Sequence, residues 1–343
     1  MLSILAIGDQ HFKVDNLPLV ELFIEKIEAL ALEKKPDIII CLGDLLHEHE
    51  RIHTIPLNKA HEFIDRLRKI TLTFVLVGNH DYISNTQFLS ENHWLNSMKE
   101  WDDVVIVDKV ISHVQNGVKI VLTPYVFPGR FEEALETLPT GFKDANCIFA
   151  HQEFFGSKMG AMVSVDGDRW SEDYPFVISG HIHSKQTPQP NIYYSGAAFQ
   201  HAFGESESNT IPFIRIDKYP QIEEIDLNLP RKKIIRVEMD DIDDFVLKET
   251  KDQVKLTLTG NPDDFKAFKD TKKYKELSKK GVKIAFKADK EYELTKKENI
   301  SKIVDEENHD FKTILQELIS KENDKNLQEF FELIINGREV MIL

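Results

Sequence analysis

DIIICLGDLLH, residues 37–47, is an apolar run that halts at Gly43 and delivers Asp44 and, three positions on, His47. The run Ile38 to Leu42 has no alternation, which predicts a strand buried on both faces, as in a sheet covered by helices. Asp44 then stands at the carboxyl end of a strand, where open α/β sheets gather their ligand chemistry. Four other stretches end in the same way: Ile4 to Ile7 before Asp9 and His11, Phe74 to Val77 before Asn79 and His80, Ile148 to Ala150 before His151, and Val177 and Ile178 before His181 and His183. One histidine at a strand end is more often a satisfied polar residue than a ligand. Five such ends at one topological position predict a site assembled from the whole domain.

The segments between these ends complete an α/β pattern. Leu19, Leu22, Phe23, Ile27, Leu30 and Ala31 fall at helical spacing over residues 17–35, which close on Lys34 and Lys35 before Pro36. The alternation predicts a helix over about 56–69, a strand at 72–77, a helix over about 86–100, and strands near 104–107 and 118–123. After about residue 145 strands and loops dominate, including IYYSGA at 192–197 and IPFIRI at 211–216, and these are assigned to a second, more antiparallel sheet packed on the first. Pro230 and the charges that follow it read as a linker. Beyond it, strands at 253–259 and 282–286 flank a lysine-rich helix, 262–280, started by Asn261 and Pro262 and ended by Gly281. Two short amphipathic helices follow, one presenting Phe311, Ile314, Leu315 and Leu318, the other Leu327, Phe330, Phe331 and Ile334. Their faces either close on the body or dock a partner helix. The expected domains are 1–230, 231–300 and 301–343.

With 343 residues, 41% hydrophobic and 29% charged, the composition is that of a folded globular chain. No apolar stretch approaches the roughly 20 residues that span a bilayer. MLSILAIGD lacks a basic region and a cleavage site, so a first strand is expected there rather than a signal peptide. Cys41 and Cys147 fall in predicted buried strands, and a reducing, cytoplasmic setting is expected. The net charge of -15 resides mostly in residues 1–230, which carry -14 against -1 for residues 231–343. Such a charge opposes binding of a polyanion, so a nucleic-acid substrate would need local patches, such as the eight lysines of residues 266–283, together with bound metal.

Two aspartates, one asparagine and four histidines are the donor types for a pair of divalent ions about 3.5–4 Å apart, bridged by a carboxylate. The nitrogen and oxygen mixture suits Mn²⁺, Fe²⁺ or Zn²⁺ better than an all-oxygen Mg²⁺ or Ca²⁺ site. Asp9 and His11 can reach one ion, as can His181 and His183; Asp44 is the natural bridge, Asn79 supplies an amide oxygen, and His151 completes the set.

GDQH at 8–11, GDLLH at 43–47, GNHD at 78–81, HQ at 151–152 and GHIH at 180–183 resemble, in order and spacing, the motifs of calcineurin-like metallophosphoesterases. Within that superfamily the chain resembles the SbcD-type DNA repair nucleases. His47 stands where protein phosphatases carry a second acidic residue and arginine, GNHD replaces GNHE, and a small αβ domain and helical tail follow. The likeness lies in motifs over the first 230 residues and in layout beyond them. It implies a four-layer α/β/β/α sandwich with a small α+β capping domain and a C-terminal helical tail. Asp9, His11, Asp44 and His183 are then expected on one ion, and Asp44, Asn79, His151 and His181 on the other. His80 is expected to stabilise the transition state or protonate the leaving oxygen, and His47 to lie near substrate or to orient a ligand. The implied cofactors are two divalent ions, Mn²⁺ first, with Mg²⁺, Fe²⁺ and Zn²⁺ as alternatives. The implied activity is a 3′ to 5′ exonuclease on duplex DNA ends and a single-strand endonuclease. Its implied partners are a second copy of the chain and an SbcC-type coiled-coil ATPase docked on the tail helices near 311–335, with no membrane.

Two rival readings remain at this point: a phosphoesterase acting on small nucleotides or phosphoproteins, and a structural subunit with a silent site. The segment GSKMGAMVSVDG at 156–167 reads as a surface loop or as a path for a nucleic-acid strand, and Asp81 as fixing the turn or orienting a ligand rather than touching substrate. His49, His53, His61, His93, His113, His201 and His309 have no motif support and are expected to be surface or structural.

Overall fold

The computed structural model describes residues 1–49 and 51–289 and, in the tail, Leu315, Leu318, Ile319, Leu327 and Phe331. The chain divides into two units, Met1–Ile235 with Lys248–Lys255, and Arg236–Leu247 with Leu256–Leu343.

In chain order the first unit begins with β1 (Leu2–Ile7), α1 (Leu17–Lys34), β2 (Ile38–Cys41), α2 (Thr54–Arg68), β3 (Thr73–Leu76) and β4 (Val104–Val107). It continues with β5 (Ile111–Gln115), β6 (Val118–Leu122), α3 (Phe131–Glu136), β7 (Cys147–His151), the short pair β8 (Lys158–Met159) and β9 (Met162–Val163), and β10 (Val177–Gly180). The last strands are β11 (Gln186–Gln189), β12 (Ile192–Tyr194), β13 (Ile211–Ile216) and β14 (Pro220–Ile225). Two six-stranded sheets result, ordered β14-β13-β1-β2-β3-β4 and β11-β12-β10-β7-β6-β5. In the first, β1 to β4 are mutually parallel and β13 runs antiparallel to β1.

Side-chain alternation sorts each strand between two cores. Ile4, Ala6, Ile38, Ile40, Phe74 and Leu76 of the first sheet pack against Ile120, Leu122, Cys147, Phe149 and Ile178 of the second. The opposite faces of the first sheet, with Leu5, Ile7, Ile39, Cys41 and Val75, pack under Phe23, Ile27, Ala31, Phe63 and Ile64 of α1 and α2. The outer face of the second sheet packs on α3, Phe154 and Trp170. The layers are therefore α/β/β/α.

Local chemistry explains the joints that aim the site. Helix α1 ends where Lys35 adopts a left-handed φ of 48° and its N–H bonds Ala31, so the chain turns at Pro36 into β2. The parallel register aligns Ile7 with Cys41 and Cys41 with Val75, so the carboxyl ends of β1, β2 and β3 lie level. Gly180 aligns with His151 in the same way on the second sheet. Both cysteines are buried and free, and no helix among the described residues is long and apolar enough to cross a membrane.

Several segments depart from the sequence reading. The expected helix over 86–100 is only a 3₁₀ turn at Trp94–Met98. Ser90 accepts from the Asn92 N–H, and Asn96 donates to the carbonyls of Glu91 and His93, so short polar side chains take the place of helical bonds. IPFIRI lies in the first sheet as β13, not the second, because it pairs with β1. The second sheet is mixed rather than mainly antiparallel: β12, β10, β7 and β6 form a parallel core. Strand β5 escaped the sequence reading, and its residues are only partly buried. Residues 156–167 close on themselves through the β8–β9 hairpin.

A three-stranded sheet follows, ordered β15 (Lys232–Glu238), β16 (Gln253–Gly260) and β17 (Lys283–Ala288), so the presumed linker enters a strand at Lys232. The single lysine-rich helix is two, α4 (Pro262–Phe268) and α5 (Lys272–Lys279), because Thr271 caps a new start by accepting from the Tyr274 N–H. The five described tail residues are helical; Phe311, Ile314, Phe330 and Ile334 of the expected helices, and His309, lie outside the described residues.

Phe23 is fully buried, its ring 5.2 Å from Phe199 and 5.5 Å from Phe63 between centroids. Phe23→Ala should cost about 3–5 kcal/mol, read as the shift in a urea unfolding midpoint at unchanged slope. A loss under about 1 kcal/mol would mean that the helical layer repacks freely.

Candidate metal centre

Three of the five motifs leave their strands through an unusual backbone. Asp9, His11, Asp44 and His181 have φ of 43°, 44°, 56° and 80°, left-handed values that non-glycine residues rarely adopt. Such strain costs on the order of 1–3 kcal/mol per residue and persists only where the surroundings enforce it. Two glycines permit the crowding that follows. Gly43 has a φ of 102°, and a Cβ there would lie 2.6 Å from Nδ1 of His151; a Cβ on Gly78 would lie 2.2 Å from Oδ1 of Asp44. Asp81 ties the two turns together. Its Oδ2 accepts the N–H groups of Asp44 at 2.8 Å and Gly78 at 3.0 Å, and its Oδ1 accepts the Trp94 indole N–H.

Asp44 occupies the middle. Its Oδ1 accepts the His80 N–H at 2.9 Å, and its Oδ2 lies 3.4 Å from Nε2 of His11 and 3.3 Å from Nε2 of His151. On the first side, Nε2 of His11 faces Nε2 of His183 at 3.0 Å. On the second, Oδ1 of Asn79 lies 3.0 Å from Nε2 of His151 and 2.8 Å from Nδ1 of His181. Donors about 2.0–2.2 Å from a shared ion stand roughly 3.0–3.4 Å apart, close to the spacings on both sides. Asp9 accepts the His181 N–H at Oδ1, whereas its buried Oδ2 has no partner. A buried carboxylate oxygen left unpaired among imidazoles has the chemistry of a cation ligand. The donor set therefore fits a pair of divalent ions with Asp44 between them.

Electrostatics and hydrogen bonds fix the ring states. Burial holds His11 well below the usual histidine range, so its ring is neutral, the form that ligates metals. Burial would raise Asp44, but the adjacent His151 and His11 outweigh it and hold the carboxyl well below the usual range. Burial pushes Asp9 upward. For His151 burial is opposed by Asp44 and Asp9, which raise it to about 9, so a proton and a metal ion compete for its Nε2. Its Nδ1 donates to the Leu42 carbonyl at 2.6 Å, which turns Nε2 inward.

Of the two expected catalytic residues, His80 donates from Nδ1 to the His47 carbonyl at 2.7 Å, leaving Nε2 for other work. The ring of His80 lies 4.8 Å from that of His11, and His47 brings Nδ1 within 3.4 Å of Nδ1 of His11. All nine sequence-derived site residues thus share one cluster.

The sequence reading missed three neighbours. His49 stacks on His80 with centroids 4.4 Å apart. His201 is buried and donates from Nε2 to the Asp9 carbonyl at 2.8 Å. Glu205 approaches Nδ1 of His183 at 3.5 Å; although burial opposes it, hydrogen bonds from His183, Ala202 and His201 hold its carboxyl down at about 2. A signal for His201 was present, since IYYSGAAF is a sixth apolar run ending near a histidine, interrupted by the Ser195-Gly196 turn.

Residues 2–185 match the family model described as calcineurin-like phosphoesterase. A protein of Invertebrate iridescent virus 3, provisionally named phosphoesterase 078R, is 47% identical over 83% of this chain and 84% of its own. One from Invertebrate iridescent virus 6, provisionally named phosphoesterase 244L, is 47% identical over 79% of this chain and 98% of its own. Among solved structures, that of Yfce, a phosphoesterase from E. coli, matches with a TM-score of 0.33 and 12% identity, over 62% of this chain and 88% of that one.

Gly78→Ala should displace Asp44 and cost about 1–3 kcal/mol as an overpacked site. Its Mn²⁺ uptake, read by calorimetry, should fall at both ions, as it should in Asp44→Ala. Wild-type uptake in either variant would remove Asp44 from the bridge.

Proposed function

The chain belongs to the calcineurin-like phosphoesterase family, and from that premise we propose a two-metal phosphodiesterase whose substrate is DNA. It would act as a 3′ to 5′ exonuclease on duplex ends and as an endonuclease on single strands. Asp9, His11, Asp44 and His183 would hold one ion, and Asp44, Asn79, His151 and His181 the other, with Mn²⁺ the expected metal. Two such ions supply stabilisation of the phosphoryl charge and activation of water.

The protein's own groups do the rest. Nε2 of His80, the ring nitrogen left free by the His47 carbonyl, would donate a hydrogen bond or proton to the leaving oxygen from the imidazolium, in which both ring nitrogens carry hydrogen. The turn around Asp81 keeps the His80 backbone against Asp44. The observation that carries the choice of a diester is His47 beside His11. Burial lowers it, aided by Lys13 and His80, so a neutral ring stands there in place of a guanidinium. A monoester, with about two charges, is best gripped by a bidentate arginine; a diester, with one, is not so demanding.

DNA would draw on the lysines of α5, where Lys272, Lys275 and Lys279 line one open groove. We further propose that a homodimer works with an SbcC-type coiled-coil ATPase seated on the tail near 311–335. The exposure of helical Leu318 supports this reading, while Phe331 of the second expected helix is buried. The proposed divisions remain a nuclease domain over 1–230, a cap over 231–300 and a docking tail over 301–343, in a cytoplasmic protein.

End-labelled duplex DNA and a generic phosphodiester, incubated side by side with Mn²⁺, test the reading. Wild type should cut DNA, and His80→Ala should keep both ions while losing about 10²–10⁴-fold in rate. Cleavage of the small diester alone, even with the ATPase and ATP added, would assign the protein to small nucleotides instead.

A further inference from the structure

We propose that Glu205 is a positioning residue for one ion of the pair: it fixes the tautomer of His183, and the turn it anchors, residues 200–205, also braces Asp9 on the same ion. The inference rests on the two-metal reading above.

A carboxylate can only accept, so Oε1 of Glu205, 3.5 Å from Nδ1 of His183, favours the ring form with hydrogen on Nδ1. The lone pair then lies on Nε2, the atom that faces Nε2 of His11 at 3.0 Å. Carboxylates acting on metal-binding histidines in this way orient the ring and raise its basicity. Glu205 is itself held in place, because its Oε2 accepts the N–H groups of His201 at 2.6 Å and Ala202 at 3.1 Å. His201 reaches the second ligand of the same ion. Its Nε2–H bonds the Asp9 carbonyl at 2.8 Å and so braces a residue whose φ is 43°. Gln200 closes the base of the turn, donating to the Glu205 carbonyl at 3.1 Å and accepting the Lys232 N–H at 2.6 Å. The ligands of the other ion take their ring support elsewhere: Nδ1 of His151 from the Leu42 carbonyl at 2.6 Å, and Nε2 of His181 from Glu153, whose Oε2 lies 3.9 Å away.

Glu205→Gln separates this role from a merely structural one. The amide oxygen can still accept the two backbone N–H groups, while the amide nitrogen, a donor, meets the donor on Nδ1 of His183. Calorimetric titration of the full-length, metal-stripped chain with Mn²⁺ should show two binding steps in wild type. In Glu205→Gln one step should weaken about 10–100-fold and the other should stay, with the melting temperature of the metal-free protein unchanged. In a His183→Ala background the same change should add nothing. Two wild-type steps, an equal loss in both steps, or an additive loss in the His183→Ala background would overturn the proposal. A wild-type protein that takes up no Mn²⁺ would overturn the metal-centre reading itself, and this inference with it.

Discussion

Oδ2 of Asp44 lies between Nε2 of His11 and Nε2 of His151, at 3.4 and 3.3 Å, and the rest of the site is arranged so that one oxygen can face both. Keeping a carboxylate there requires a left-handed backbone at Asp44, a glycine on each approaching turn, and Asp81 beneath to accept two backbone N–H groups. Each requirement is local, yet together they need five strand ends from two sheets to lie level. The parallel register of β1, β2 and β3, matched by that of β7 and β10, meets that need. Strained turns at the centre are affordable because fully buried aliphatic layers on either side hold the strands.

Much of this was legible in the sequence, for a physical reason. A strand buried on both faces has no polar residue to spare, so a histidine or aspartate at its end stands out. Asp9, Asp44, Asn79, His151 and His181 all announce themselves in that way. His201 does so only faintly, because the Ser195-Gly196 turn interrupts its apolar run, and Glu205 does not, because its partner is a histidine ring distant in sequence. His49 was equally silent, since stacking on His80 leaves no periodic trace. The helix expected over 86–100 failed where serine and asparagine side chains competed for backbone groups. The placement of IPFIRI failed because strand pairing at a sheet edge is a long-range choice that spacing cannot encode.

The centre is rich in imidazole and poor in guanidinium, and the net charge of residues 1–230 is -14. On the proposed reading, a substrate with one charge per phosphate would be held chiefly by the ions. On the proposed two-metal reading, Glu205 and His201 brace His183 and Asp9 on one side, whereas Glu153 and the Leu42 carbonyl back His181 and His151 on the other.

Electron paramagnetic resonance of the wild-type protein loaded with two equivalents of Mn²⁺ tests the central claim, a single carboxylate shared by two ions. Ions about 3.5–4 Å apart across Asp44 should give the exchange-coupled spectrum of a dinuclear pair. The six-line spectra of two magnetically isolated ions would contradict it.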